Sequence, residues 1–233
     1  MNNLSHVFAI VPAAGIGRRM NSEIPKQYLQ IAGRSILEHT LQRLLSHPQI
    51  QLICVAISST DQWWQQLAIA KHPKIIVTNG GMERRHSVLN ALLALQEVIN
   101  ANDWVLVHDA VRPCIRSQDI DQLFQTLQYH PVGGLLGVMA KDTMKRADVN
   151  NVIQFTVPRA SLWHAYTPQM FRYNLLQQAL QHAVTQGWTV TDEAEAMERA
   201  GHKVQMVEGH ADNIKITCPE DIGLAEFFMA QFV

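Results

Sequence analysis

The stretch Pro12-Ala13-Ala14-Gly15-Ile16-Gly17-Arg18-Arg19-Met20, with Pro25-Lys26-Gln27 close behind, has the residue types for chemistry. Gly15 and Gly17 free the backbone to approach a ligand and to aim N–H groups at it. Arg18, Arg19 and Lys26 lie within twelve residues of Ala14, in a chain with only 19 lysines and arginines. Small residues and clustered cations after an apolar run can hold a polyphosphate. The bland alternative is a tight turn with a solvated charge cluster. A Walker A sequence is excluded, because Gly-Lys-Ser/Thr is absent. The dinucleotide fingerprint is excluded too, since no third glycine stands in place.

A carboxylate follows a second apolar run in Val107-His108-Asp109-Ala110-Val111-Arg112-Pro113. Asp109 there can hold Mg²⁺ or a ribose hydroxyl, or cap the next turn. Arg112 can fork onto a phosphate or pair with a local acid. His108 reads as a core hydrogen-bonding group. In Ile214-Lys215-Ile216, two inward isoleucines turn Lys215 outward, to a loop face or to water. Thr191-Asp192-Glu193-Ala194 has the grammar of a helix start, with Thr191 as cap. The histidines show no regular metal spacing. Trp63 and Trp64 read as packing residues, not stacking platforms for nucleic acid.

These residues need a frame, and the apolar pattern predicts one. Val7–Val11 reads as a strand, and Leu52–Ile57 as a strand of the buried parallel kind. Further strands are expected at Ile75–Val77, Trp104–Val107, Val132–Met139, Lys203–Val207 and Asn213–Ile216. A helical stripe runs through Ile36, Leu37, Thr40, Leu41, Leu44 and Leu45, with Ser35 as cap. Helices are also expected at Trp63–Ala70, from Gly80-Gly81 through Ile99, at Ile120–Leu127, Leu175–Val184 and Asp192–Ala200, and after Pro219. Gly133-Gly134 marks either close backbone packing or a weak strand. Alternation of this kind predicts an α/β fold: a mostly parallel twisted sheet with helices on both faces. Ligands then bind beyond the carboxyl ends of the strands, where the loops after Val11, Val77 and Val107 fall together. The rhythm breaks between Lys141 and Pro168, as an extended arm or a surface excursion.

The 233 residues, 47% of them hydrophobic, suit a single domain over 1–233. A net charge of -1 with no charged tail gives no support for nucleic acid or a membrane surface as partner. Cys54, Cys114 and Cys218 lack metal or disulfide spacing, and Cys54 reads as a core thiol. No signal-like or membrane-length run is evident, so a soluble, cytoplasmic protein is expected.

Ordered blocks along essentially the whole chain carry a family resemblance. PAAGIGRRM (12–20), PKQYL (25–29), GGMERRHSV (80–88), VLVHDAVRP (105–113), DTMKR (142–146), LWHAYTPQMF (162–171), TDEA (191–194) and EGHADNIKIT (208–217) closely resemble 2-C-methyl-D-erythritol 4-phosphate cytidylyltransferases of the non-mevalonate isoprenoid pathway. The resemblance implies a Rossmann-like nucleotidyltransferase fold with a protruding β-arm at about 141–168. It implies a homodimer interlocked through those arms, and a divalent metal, Mg²⁺. The implied reaction joins CTP and 2-C-methyl-D-erythritol 4-phosphate with release of pyrophosphate. Transfer to ribitol 5-phosphate or another polyol phosphate is the alternative.

By the same resemblance, Ala13, Ala14, Gly15 and Gly17 cradle the nucleotide, and Gly81 and Ser87 recognise cytosine. Arg19, Lys26 and Lys215 are the catalytic cations, and Asp109 is the acid near ribose and metal. Arg112, Thr143, Arg159, Thr167 and Thr191 contact the methylerythritol phosphate, with Thr143 and Arg159 reaching over from the partner's arm. Met82 departs from the acid common in the family after the two glycines, and Pro158 from the aspartate before the arm arginine.

Overall fold

The computed structural model describes residues 6–15 and 24–231. Gly17, Arg18 and Arg19 lie outside the described residues. The first strand, β1 (Val7–Pro12), is buried almost throughout, and its alternating side chains feed two different cores. Val7, Ala9 and Val11 face one cluster, Phe8 and Ile10 the other. Period-two alternation with both faces apolar is what a strand sandwiched between helix layers requires.

A short hairpin, β2 (Gln30–Ile31) and β3 (Arg34–Ser35), leads into α1 (Ile36–Leu45). Ser35 caps α1 as expected: its side chain accepts the Glu38 N–H, and Glu38 reaches back to the Ser35 N–H. Next come β4 (Ile50–Ile57), β5 (Ile75–Asn79), α2 (Arg84–Leu95), β6 (Trp104–Val107), α3 (Ser117–Leu127) and β7 (Gly133–Met139). β8 (Met144–Ala147), β9 (Ile153–Val157), β10 (Trp163–Arg172), α4 (Tyr173–Thr185), α5 (Glu193–Arg199), β11 (Gln205–Glu208) and α6 (Glu220–Ala230) complete the order. Seven strands form one sheet in the order β11-β7-β10-β6-β1-β4-β5. Only β10 runs antiparallel to its neighbours. Leu37, Leu41 and Leu44 of α1 pack with Ile120, Leu123 and Leu127 of α3 in one core cluster. In the other, Val88, Leu92 and Leu95 of α2 pack with Leu176 and Leu180 of α4 and Met197 of α5. No helix among the described residues is long and apolar enough to cross a membrane.

Gly133-Gly134 is a close approach. A Cβ on Gly133 would lie 2.1 Å from the Met170 carbonyl oxygen, and one on Gly134 2.1 Å from that of Gln205. Gly133 also has φ +136°, a region that favours glycine. Cys54 is buried with its thiol pushed up to about 12 by desolvation, as suits a core residue.

Two expected elements take another form. In place of a helix over Trp63–Ala70 there are two 3-10 turns, Trp64–Gln66 and Ala68–Lys71. Asp61 Oδ1 takes the N–H groups of Trp63 and Trp64 and tightens the start, and Leu67 is extended between the turns. Asn213–Ile216 is an extended loop instead of a strand. Its bonds go elsewhere: Ile216 N donates to Val111 O, and Asn213 Nδ2 to Thr167 O. The helix expected from Gly80 starts later, at Arg84, and ends at Leu95.

The break at 141–168 contains an exposed antiparallel hairpin, β8 with β9, and then the first half of β10. Its turn is Asn150-Asn151, with Asn151 at φ 64° and Asp148 Oδ1 accepting from the N–H groups of Asn150 and Val152. β10 then crosses into the main sheet. Its pairing with β7 slips between Ala165 and Gln169, and Pro168, which has no N–H to give, sits inside that slip.

Candidate active site

The loops after β1, β5 and β6 do converge at one sheet edge. Ala13 is anchored by its N–H to Ala56 O and by Gln27 Nε2 to its own carbonyl. The second bond, buried at 2.7 Å, ties the glycine loop to the Lys26–Tyr28 turn. Gly80 allows the loop after β5 to press against it, since a Cβ there would stand 2.3 Å from the Ala14 Cβ. Ser87 Oγ accepts the Gly81 N–H at 3.0 Å and donates to Glu83 O. Ala13, Ala14, Gly15, Lys26, Gly81 and Ser87 therefore line one pocket, with Met82 at its edge. Lys26 Nζ reaches Ile216 O at 3.4 Å, so it faces the segment that carries Lys215.

A second pocket adjoins the first. Arg112, Tyr166, Thr167, Gln169 and Thr191 line it. Both pockets share Arg84, Asp109 and Lys215 as a common wall. Asp109 is the centre of that wall. Its Oδ1 pairs with Arg84 Nη1, and its Oδ2 lies 3.0 Å from Lys215 Nζ and 3.3 Å from Arg112 Nε. Burial opposes the Asp109 charge, but Arg84, then Lys215 and Arg112, outweigh it and hold the carboxyl far below the usual range. Arg84 also reaches Glu193 Oε2 at 2.8 Å. Burial raises the Glu193 pKa, and Arg84 works against that rise. Four cations, Lys26, Arg84, Arg112 and Lys215, line the two pockets against three acids, Glu83, Asp109 and Asp192, which favours an anion.

Thr167 owes its position to the slip in β10. Its Oγ1 accepts the Asp109 N–H at 3.0 Å and lies 3.0 Å from His108 Nδ1. His108 Nε2, 3.0 Å from the Arg112 carbonyl, must carry the proton there, because a carbonyl only accepts. Burial lowers His108 to about 4, so it is neutral and Nδ1 accepts from the Thr167 hydroxyl. The Thr167 proton is then committed. The lone pair it has left suits a ligand hydroxyl, not a phosphate.

Several expectations resolve here. Arg112 pairs with the local acid while lining the second pocket, and it lies 4.7 Å from the Tyr166 ring centroid. Lys215 points away from a buried Ile216, as the alternation predicts. Thr191 is not the cap of α5. Asp192 is, accepting the Glu195 N–H, while Thr191 donates to Glu195 Oε2. Thr143 and Arg159 are exposed on the arm and line neither pocket; Arg159 Nη1 bonds the Lys141 carbonyl. Arg19 and Gly17 lie outside the described residues. The sequence pattern does not single out Arg84 or Glu193, although both are central to the wall. One faint signal exists: a cation at the first position of a helix opposes the helix dipole and needs a local reason.

Among the described residues, no three His, Cys, Asp or Glu side chains gather as a metal cluster. Asp109 offers one hard carboxylate whose oxygens already meet cations. That donor set fits Mg²⁺ where phosphate oxygens and water complete the shell, which is how this ion is ordinarily held.

Comparison with known proteins agrees with this geometry. Residues 7–231 match the model of the family IspD: 2-C-methyl-D-erythritol 4-phosphate cytidylyltransferase. A protein of that name from Aeromonas hydrophila is 55% identical over 223 residues, 96% of this chain and 89% of the relative. One from Vibrio vulnificus (strain YJ016) is 51% identical over 98% of this chain and 97% of its own length. The crystal structure of the Francisella tularensis enzyme of the same name superposes with a TM-score of 0.84 at 36% identity, covering 96% of this chain and all of that one. With a match over nearly its whole length and the paired pockets in place, the chain belongs to the 2-C-methyl-D-erythritol 4-phosphate cytidylyltransferase family.

Proposed function

We propose that this protein transfers the cytidylyl group of CTP to 2-C-methyl-D-erythritol 4-phosphate, giving 4-diphosphocytidyl-2-C-methyl-D-erythritol and pyrophosphate. One observation carries the reading: two pockets meet at a shared wall of Asp109, Lys215 and Arg84. Two anionic substrates can thus react where cations are in excess.

In this reading Ala13, Ala14, Gly15 and Gly17 hold the nucleotide, and the Gly81–Ser87 loop takes the base. A phosphate monoester is already largely a dianion near neutral pH and attacks without a strong general base. The barrier is the approach of two anions. Arg19, Lys26 and Lys215 offset it by neutralising the α-phosphate as charge spreads over its oxygens. Arg112 and Thr191 contact the acceptor in the second pocket, and Thr167 accepts from one of its hydroxyls. Mg²⁺, held by Asp109 and the phosphates, would supply further charge neutralisation.

The second pocket is completed across a homodimer. The arm supports this with exposed apolar side chains, Val149, Val152, Ile153 and Phe155, which a partner's arm would cover. Thr143 and Arg159 then come from that partner. The three thiols are unpaired, as suits the cytoplasm.

Pyrophosphate release tests the reading, with CTP and 2-C-methyl-D-erythritol 4-phosphate against CTP and ribitol 5-phosphate. Release with the first pair alone, abolished by EDTA, is expected. Equal or faster release with ribitol 5-phosphate would overturn the choice of acceptor.

A further inference from the structure

Two consecutive arginines at the start of α2 reach across the site to the start of α5. Arg84 Nη2 pairs with Glu193 Oε2 at 2.8 Å while its Nη1 holds Asp109. Arg85 Nη1 bonds the Trp188 carbonyl, in the segment leading to Thr191, and its Nη2 pairs with Glu83 Oε2 at 3.0 Å. Arg84 and Arg85 follow directly on the Gly80–Glu83 loop of the first pocket. Trp188 and Glu193 flank Thr191 and Asp192 of the second. Each arginine therefore spans from one pocket's loop to the other's.

The connection is stiff for a physical reason. Glu193 is 1% exposed, and burial already favours its neutral form. Without Arg84 it would be a buried carboxylate with no counter-charge, among the costliest defects a fold can carry. Arg84 is likewise committed, because a planar guanidinium bonding two carboxylates has its orientation fixed. The start of α5 is tied down further: Gln169 Nε2 donates to Asp192 Oδ2 at 2.9 Å, and Gln169 Oε1 accepts the Ala194 N–H. A displacement of the base-side loop is passed by Arg84 to Asp109 and Glu193, and by Arg85 to Trp188.

We infer that Arg84 and Arg85, with Glu193, form a clasp that couples the two substrate pockets, so that nucleotide in the first raises affinity for the polyol phosphate in the second. This rests on the reaction proposed above. Glu193 and Arg85 line neither pocket, so they are positioning residues acting through Arg84 and the Trp188 segment.

The test is titration calorimetry on the full chain. Dissociation constants for 2-C-methyl-D-erythritol 4-phosphate are measured with and without saturating α,β-methylene-CTP, an analogue that cannot transfer. In the wild type the nucleotide should tighten the second ligand by about fivefold or more, the low end of ordinary site-to-site coupling. In Glu193→Gln, which keeps the shape and removes the charge, the factor should fall toward one, and Arg85→Gln should lower it as well. A role in stability alone would lower the melting temperature and leave the factor at its wild-type value; that result overturns the clasp. If Glu193→Gln fails to fold, Arg85→Gln decides the matter by the same criterion. A wild-type factor near one, with both ligands bound, overturns the clasp and leaves the reaction standing. Failure of the wild type to bind either ligand removes both.

Discussion

Lys215 Nζ lies 3.0 Å from Asp109 Oδ2, joining the loop before the last helix to the end of the central strand β6. The contact depends on how the lysine's neighbours are held. Ile216 is fully buried and its N–H bonds the Val111 carbonyl, which leaves Lys215 turned toward the wall between the pockets. Lys26 and Lys215 both line the first pocket, so an anion bound there competes with Asp109 for Lys215.

Lys215→Ala and Lys26→Ala should therefore lower kcat by roughly 10²-fold or more, if each cation aids chiefly the transition state. Steady-state pyrophosphate release over a range of CTP concentrations separates kcat from KM. Near wild-type turnover in either variant would remove that lysine from the catalytic set.

Arg159 lines neither pocket of its own chain, so if it contacts the polyol phosphate in the partner's site, Arg159→Ala should raise KM for that substrate and leave KM for CTP nearly unchanged. If the arm serves the partner, mixing Arg159→Ala with Lys215→Ala chains creates dimers with one undamaged site. With the polyol phosphate held well below the KM of the Arg159→Ala variant, random reassembly then restores about a quarter of wild-type activity, as two-fold symmetry requires. No recovery after verified exchange would argue that the arm does not cross over.

Gly80→Ala inserts a Cβ 2.3 Å from that of Ala14 and 3.0 Å from Ser87 Oγ. Overpacking of this kind costs about 1–3 kcal/mol. The displaced loop carries the first pocket, so CTP affinity should fall with stability. Chemical denaturation together with nucleotide titration checks both; unchanged values in each would mean that the loop yields freely.

Acid stability should decline in two windows. His108 is buried, and its folded pKa, about 4, lies below the ordinary value of 6.5. The unfolded chain therefore takes up the proton first. The His108 contribution is full above pH 6.5 and is lost as pH falls toward 4, by about 3 kcal/mol in all. His47, also lowered by burial, acts in the same direction. Asp109 is depressed by Arg84, Lys215 and Arg112 against its burial, so its contribution holds above the ordinary value of 3.8 and is lost below it. Unfolding free energies between pH 7 and 4 should fall less steeply in His108→Gln; an unchanged slope would exclude His108 as the main group.

Some of this was legible in the chain alone, and the reason differs by element. Buried parallel strands such as Trp104–Val107 announce themselves as short apolar runs, and α1 as a 3.6-residue stripe behind a serine cap. The glycine loop, Asp109 and Lys215 were visible because their residue types sit oddly against local pattern: cations in a small-residue loop, an acid at a strand end, a lysine between isoleucines. Helix and strand assignments failed where hydrogen bonds left the local segment. Asp61 drew the Trp63–Trp64 backbone into a 3-10 turn, and Asn213–Ile216 bonded to Thr167 and Val111 instead of to a strand.

The sequence by itself determined the alternating α/β order, the two apolar faces of β1 and the chemical types available at the sheet edge, because periodicity and composition are local properties. Only the tertiary structure decided that two pockets share one wall. It also decided that Thr167 spends its proton on His108, and that Arg84 is held between Asp109 and Glu193. Those facts depend on which distant segments meet. Charge pairing and desolvation act through space, and no spacing along the chain records them.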